Sequence, residues 1–447
     1  MTRGDLDSCP GVLRLHAAAD GPLARIRLPG GRLESAQVRV LAEAADELGN
    51  GFIELTSRGN VQLRQVSDAR ELTDRLDAVG LLPSHTHERV RNIASSPLSG
   101  LVGSLADVRG LLTEFDAALL ADPTLAELPG RLLFTLDDGR GDVSALDGDI
   151  GVQATGASEF ALLLGGSDTG VRLPADEAVE VLLAAARAFL AVRGKHTEQW
   201  RVRDLADGVP RLLAKLGRTA AAHPAAPSPA PAAPIGWLDQ DDGAVALGAG
   251  VRFGALPART ALFLSAIERT VIVTPWRGLL VTDLTESVAE QVVRVLAPMG
   301  LIFDAESPWL LVSACVGQPG CAKALTDVRA DAARAVETGR VQPADTTAIA
   351  GPTTTTHQAL STQPTATSEP IAFGRQHWSA CPRHCGQPAT PTINITATPD
   401  GYTITPPNSS PKLPAPSTSG SNIRQHSPSA HSPDLERPRS STSPAAP

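Results

Sequence analysis

Long apolar runs are missing from this chain: no stretch approaches the ~20 uninterrupted apolar residues of a membrane span. The start, MTRGDLDSCPG, has no apolar h-region, which predicts no export signal, no membrane partner and a cytoplasmic setting. Basic excess is absent too. Lys and Arg number 39 against 48 Asp and Glu, giving a net charge of −9. With no dominant basic stripe, a general nucleic-acid binder is excluded. Aromatics make up only 3%, yet apolar residues reach 42% of 447 positions, enough to fill two or three domains. A dinucleotide fingerprint is also lacking. Gly248, Gly250 and Gly254 in GAGVRFG have the wrong spacing for G-x-G-x-x-G, so no nucleotide-binding domain is expected.

Cysteines are few, but four of the five are paired. Cys315 and Cys321 lie in SACVGQPGCAKA, and Cys381 and Cys385 in WSACPRHCGQP. Four thiolates are the number that holds one iron–sulfur cube. The surrounding Gly and Pro permit the tight turns that bring two sulfurs to one centre. Two disulfides are disfavoured in a reducing compartment. Zinc is the stronger rival, although its usual two- to four-residue gaps fit the C-x5-C pair poorly. Cys9, the leftover thiol, reads as a free or partly buried cysteine near a mobile start.

Two composition shifts mark boundaries. Residues 221–234, AAHPAAPSPAPAAP, read as an extended Pro/Ala linker, drawn here as 221–235. Residues 406–447 are rich in Pro and Ser and read as a disordered tail. A Thr-rich insert, 341–370, separates the cysteine pairs, and loop closure tolerates it because its entropy grows slowly with length.

The segments on either side of the linker resemble each other. In the first, ARIRLPG predicts a strand and 35–48 a helix with Val38, Leu41, Ala42, Ala45 and Leu48 on one face. FIELT and VQLRQV then predict strands around the turn SRGN. In the second, AVALGAGVRFG, PARTALFLSAIE, TVIVT, PWRG and LLVTDL repeat β-α-β-turn-β. Both set a Thr and then Arg-Gly between the last two strands, Arg58-Gly59 and Arg277-Gly278, which predicts a duplication with a cleft between the copies. Arg58 and Arg277 are then candidates to face one ligand. Arg91, in a loop-forming stretch, and Arg131, just before a strand, join them. Guanidinium groups in turns suit an anion with several carboxylates.

Several segments together resemble the nitrite/sulfite reductase superfamily, and within it the precorrin-3B synthase branch. They are DSCPGVLRLHAAADGPLARIRLPGG, GFIELTSRGNVQLR, RNIASSPLSG, TPWRG, SACVGQPGCAKA and SACPRHCGQP. The resemblance implies an α+β, duplicated reductase-like architecture. It has ferredoxin-like half-domains at 10–80 and 236–305 and two α/β domains at 90–220 and 306–405. By carry-over, Cys315, Cys321, Cys381 and Cys385 ligate a [4Fe–4S] cluster. Arg58, Arg91 and Arg131 grip the macrocycle's carboxylates or a small anion. Where the reductases place a second lysine, this sequence has Leu133. The implied reaction is a monooxygenation of precorrin-3A with O2 to precorrin-3B, in aerobic cobalamin biosynthesis. Electrons come from an external donor, ferredoxin or an NADH-dependent reductase. A mononuclear non-haem iron is also implied, without assignable ligands. His85, His87 and Glu88 in SHTHERV have suitable atoms, but adjacent side chains of an extended segment diverge. Two other readings stand: a siroheme-dependent sulfite or nitrite reductase, and a non-catalytic metal-binding descendant of the fold.

Overall fold

The computed structural model describes residues 9–220, 231–342, 372–388 and 390–407. The tail from 408, most of the Thr-rich insert and linker residues 221–230 lie outside the described residues.

The sequence periodicities set the elements. Helix Ser35–Glu47 buries Val38, Leu41, Ala42, Ala44 and Ala45 along one face. Its first turn is closed by the Glu34 N–H donating to Gln37 Oε1. Its end is closed by Gly51, in the left-handed region at φ 82°, whose N–H bonds to Ala45 O at 2.8 Å. Strands Gly21–Ile26, Phe52–Leu55 and Val61–Arg64 pack on that helix. The later copy repeats the order with strand Val245–Val251, helix Ala258–Ser265 and strands Val271–Val273 and Gly278–Leu284.

The two copies share one core, which runs from Val12 through Leu301. They also exchange strands. Arg32–Leu33 from the first copy pairs antiparallel with Val271–Val273 of the second. Ala255–Pro257 of the second pairs antiparallel with Phe52–Leu55 of the first. Each sheet is therefore completed by a strand from the other copy.

Two larger sheets accompany this unit, besides the parallel pair Val341–Gln342 and Ala372–Phe373. Strands Ile93–Ser95, Phe134–Asp137 and Ile150–Gly156 run parallel, and Glu159–Leu164 and Ser167–Pro174 continue antiparallel. Helices Arg109–Ala121 and Ala178–Arg193 bury Phe115, Leu119 and Phe189 in that sheet's core. The last sheet orders Val312–Ala314, Gln376–Ser379, Ile393–Thr398 and Gly401–Thr405. Its core holds the fully buried Trp378, with helix Val328–Glu337 supplying Val328, Ala332 and Ala335. Among the described residues no helix is long and apolar enough to cross a membrane.

Candidate functional site

Strand alternation creates a cationic bed in the first copy. Ala24 and Ile26 are fully buried in the core, so Arg25 and Arg27 project from the opposite face. Arg27 is buried and spends its donors on Gly130 O at 2.6 Å, Asn92 Oδ1 at 3.1 Å, Arg89 O at 3.2 Å and Cys9 Sγ at 3.0 Å. Arg25 Nη1 reaches the same sulfur at 3.4 Å. Cys9 is thus buried and fixed within the bed, and is not part of a mobile start. Arg58 joins through Nη1 to Arg131 O at 3.5 Å. Arg131 lies over the Trp200 ring, 4.5 Å from its centroid. Among the described residues no carboxylate pairs with Arg25, Arg27 or Arg58, whereas neighbouring Arg201 pairs with Asp149. Burial, and then mutual repulsion, pulls the Arg25 guanidinium down to about 10. Burial and the charges of Arg201, Arg27 and Arg25 do the same to Arg58. A bed that repels its own cations is ready for an anion.

Arg25, Arg27 and Arg201 were not among the residues expected from sequence. Alternation in ARIRL was the available signal: if Ala24 and Ile26 face the core, both arginines face out. Arg91 stands apart from the bed. Its Nε and Nη2 grip the two oxygens of Asp116 at 2.8 and 2.6 Å, so an internal carboxylate already occupies the fork. Leu133 is buried against Ala94 and Val143, and its side chain adds nothing to the bed.

The His85–His87–Glu88 trio fails as a metal site. His85 Nε2 contacts Asp77, His87 Nε2 contacts Asp122 O, and Glu88 Oε2 accepts from the Val12 N–H. Residues 85–90 form a turn and not the extended stretch expected, and each of the three side chains is engaged with a different partner.

The cysteines occupy the last sheet. Strands Val312–Ala314 and Gln376–Ser379 are parallel neighbours, with Ala314 beside Trp378. Both cysteine loops therefore leave the sheet at the same end, where ligand sites of parallel strands form. The Cys315 N–H bonds to Trp378 O at 3.0 Å, and the Ala380 N–H donates to Cys315 Sγ at 3.2 Å. The Leu325 N–H closes the first loop onto Ala380 O at 3.0 Å. Burial pushes the Cys315 thiol up, and Cys385 and Cys381 push it further, so these three groups share one electrostatic neighbourhood. Among the described residues no two cysteines are joined by a disulfide. Tetrahedral zinc would hold its sulfurs about 3.8 Å apart, from Zn–S bonds of about 2.3 Å. Among the described residues only Asp137, Asp138 and Asp142 bring three ligand atoms within 4.8 Å of one another. Among the described residues the four thiols form no such group.

Arginines back both cysteine loops. Arg277 Nη2 donates to Gly386 O at 3.1 Å, next to Cys385. Arg329 donates to Cys315 O at 3.1 Å and to Glu54 Oε1 at 2.8 Å. Between the loops sits His377, with no exposure and its Nδ1 2.9 Å from Ser313 Oγ. Burial, then the Arg277 charge, lowers this imidazole to about 4, so it is neutral. Arg277 thus faces the cysteines, while Arg58 faces Arg131.

Residues 16–79 match the family model described as the nitrite/sulfite reductase ferredoxin-like half domain. A solved structure of the Mycobacterium tuberculosis NirA protein is similar with a TM-score of 0.61 at 19% identity, covering 84% of this chain and 71% of its own. The chain has the nitrite/sulfite reductase fold. It is also a homologue of a Sinorhizobium sp precorrin-3B synthase, 27% identical over 412 residues, which span 90% of this chain and 82% of that relative. A ferredoxin–nitrite reductase of Synechococcus elongatus is 35% identical over 127 residues, only 26% of this chain and 25% of the relative. Sulfite reductase [ferredoxin] 2 of Mycolicibacterium paratuberculosis is 24% identical over 340 residues, 69% of this chain and 61% of its own. These homologues are oxidoreductases.

Within this reductase-like fold the two copies form the same turn between their last two strands. In the first, Thr56 Oγ1 accepts from the Asn60 N–H; in the second, Thr274 Oγ1 accepts from the Gly278 N–H. The left-handed position is Gly59 in one copy and Arg277 in the other, at φ 69° and 57°. Arg58 is therefore the counterpart of Trp276, and the Arg-Gly pairs that looked equivalent in sequence are one residue out of step.

Proposed function

We propose that this chain is a precorrin-3B synthase-like monooxygenase. The observation that carries the reading is the bed of Arg25, Arg27, Arg58 and Arg131, beside which position 133 holds a buried leucine. Guanidinium forks suit the several carboxylates of a tetrapyrrole, whereas a site for sulfite or nitrite would want a compact cluster of cations around one small anion. The similarity along most of the chain to a precorrin-3B synthase points the same way.

In this reading Cys315, Cys321, Cys381 and Cys385 hold a [4Fe–4S] cluster, which when bound passes electrons one at a time from an external ferredoxin or NADH-dependent reductase. The arginine bed orients precorrin-3A. Buried Arg27, tied to Asn92 and Gly130, fixes the bed's floor, and Arg58 and Arg131 clamp the carboxylates at its rim. One oxygen atom of O2 enters the substrate, which closes its γ-lactone, and the other leaves as water. A mononuclear non-haem iron belongs to this reading, but none of the trio at 85–88 is assigned to it. A cytoplasmic setting is part of this reading.

Incubating the purified, reconstituted chain with precorrin-3A, reductant and labelled O2 should add one labelled oxygen atom to the product, read by mass spectrometry. Product without label, or no product from a chain loaded with iron and sulfide, would overturn the assignment. A siroheme-dependent reductase is the second reading, favoured by the short match at 35% identity to a nitrite reductase. It requires haem bands in the visible spectrum and turnover of sulfite or nitrite. Zinc alone, without sulfide, would instead support a non-catalytic descendant.

A further inference from the structure

We propose that Arg277 and Arg329 fix the two cysteine loops and that their charge sets the reduction potential of the cluster between them. The inference rests on the cluster reading above and goes beyond it by naming the groups that tune the centre.

Each loop is held in the same manner, by an arginine donating to a backbone carbonyl. Arg329, on helix Val328–Glu337, donates through Nε to the carbonyl of Cys315 itself. Arg277, from the turn of the second copy, donates to the carbonyl of Gly386, one residue beyond Cys385. Glu54, on a strand of the first copy, pairs with Arg329 at 2.8 Å and with Arg64 at 2.7 Å. Glu54 also attracts the Arg277 charge, so all three groups belong to one electrostatic set.

The backbone shows that Arg277 is placed at a cost. It occupies the left-handed region at φ 57°, where the first copy uses glycine. A non-glycine residue there is disfavoured and persists when the surroundings require it. The turn alone does not require an arginine. Gly254 makes room for it, since a Cβ there would come within 3.0 Å of the Arg277 Cδ.

The charge has a definite sign of effect. A cube held by four thiolates is anionic, and reduction adds one more negative charge. Partly buried cations nearby favour the reduced state and raise the potential, and a nearby carboxylate lowers it. Arg277 and Arg329 therefore pull upward and Glu54 pulls downward.

The test is a potential titration of the reconstituted full chain, followed by electron paramagnetic resonance, with iron and sulfide counted per chain. Arg277→Gln and Arg329→Gln should shift the midpoint to more negative values with the cluster retained. The corresponding lysine variants should stay near the parent, and Glu54→Gln should shift the midpoint the other way. Gln variants that keep iron, sulfide and the parent midpoint would overturn the proposal. So would equal loss of iron from Gln and Lys variants with an unmoved midpoint in Glu54→Gln, because that pattern marks packing alone. A parent chain that binds zinc and no sulfide would sink the earlier cluster reading, an outcome distinct from either of these.

Discussion

The two copies of the β-α-β-turn-β unit share an element order and have opposite uses. Strand pairing makes Arg25 and Arg27 of the first copy equivalent to Gly248 and Gly250 of the second. In the first copy those positions build a cationic bed. In the second they are filled by the chain itself: a Cβ on Gly248 would lie 2.0 Å from Pro234 O, and one on Gly250 2.4 Å from Leu310 Cδ2. The turn that offers Arg58 to the bed offers Trp276 in the second copy, and the following residue, Arg277, turns to the cysteine loop. Duplication supplied the scaffold twice. Divergence at a few inward positions left one copy open to an anion and made the other a support for the thiols.

Substitutions can break this contrast. The largest effect belongs to Arg27→Ala. Removing a buried guanidinium that serves Gly130, Asn92, Arg89 and Cys9 strands their acceptors, and should cost about 3–5 kcal/mol in denaturant unfolding. In the closed copy, Gly248→Ala forces its Cβ against a backbone carbonyl and should cost about 2–3 kcal/mol, while Arg25→Ala, at the equivalent open position, should cost less in the same unfolding assay. Arg58→Ala should weaken binding of a tetrapyrrole polycarboxylate by about 10- to 50-fold, from one lost charge-assisted contact, with iron content intact. Trp276→Ala, its counterpart, should leave that affinity within about twofold; equal losses from both would erase the asymmetry.

The smallest effect concerns the loop that follows strand Phe134–Asp137. There Asp142 is buried, accepts from Ser96 Oγ at 2.5 Å and is pushed up to about 7, chiefly by burial. A carboxyl raised above its unfolded value of 3.8 binds its proton more tightly when folded. Its penalty is therefore absent below about pH 4, grows as pH rises towards 7 and is complete above it. Asp142→Asn keeps an acceptor for Ser96 and should flatten the fall in Tm between pH 5 and 8. A parent chain whose Tm does not fall over that range would refute the assignment.

Much of the fold could be read from the residues alone. Helix Ser35–Glu47 was legible because its apolar positions recur at helical spacing and glycines follow it. The paired cysteine loops were legible because Gly and Pro surround them. What escaped was non-local. Strand alternation in ARIRL is a local signal, but that both arginines meet Cys9 is not, and that Arg27 and Cys9 both meet Gly130 O depends on contacts more than a hundred residues apart. Arg91 looked like a ligand grip because Asp116 lies 25 residues on. The register of the two Arg-Gly turns misled because a glycine conformation is occupied by an arginine, and only backbone angles reveal it.

The reciprocal exchange of Arg32–Leu33 and Ala255–Pro257 has a consequence for how the molecule arose and how it can be cut. Neither copy owns all the strands of its own sheet, so neither is a self-sufficient folding unit. An ancestor with a single copy would have needed a second subunit to lend the missing strand, which makes it a swapped homodimer before gene fusion joined its partners. By the same logic, fragments separated within 221–230 should be insoluble singly and recover structure when refolded together.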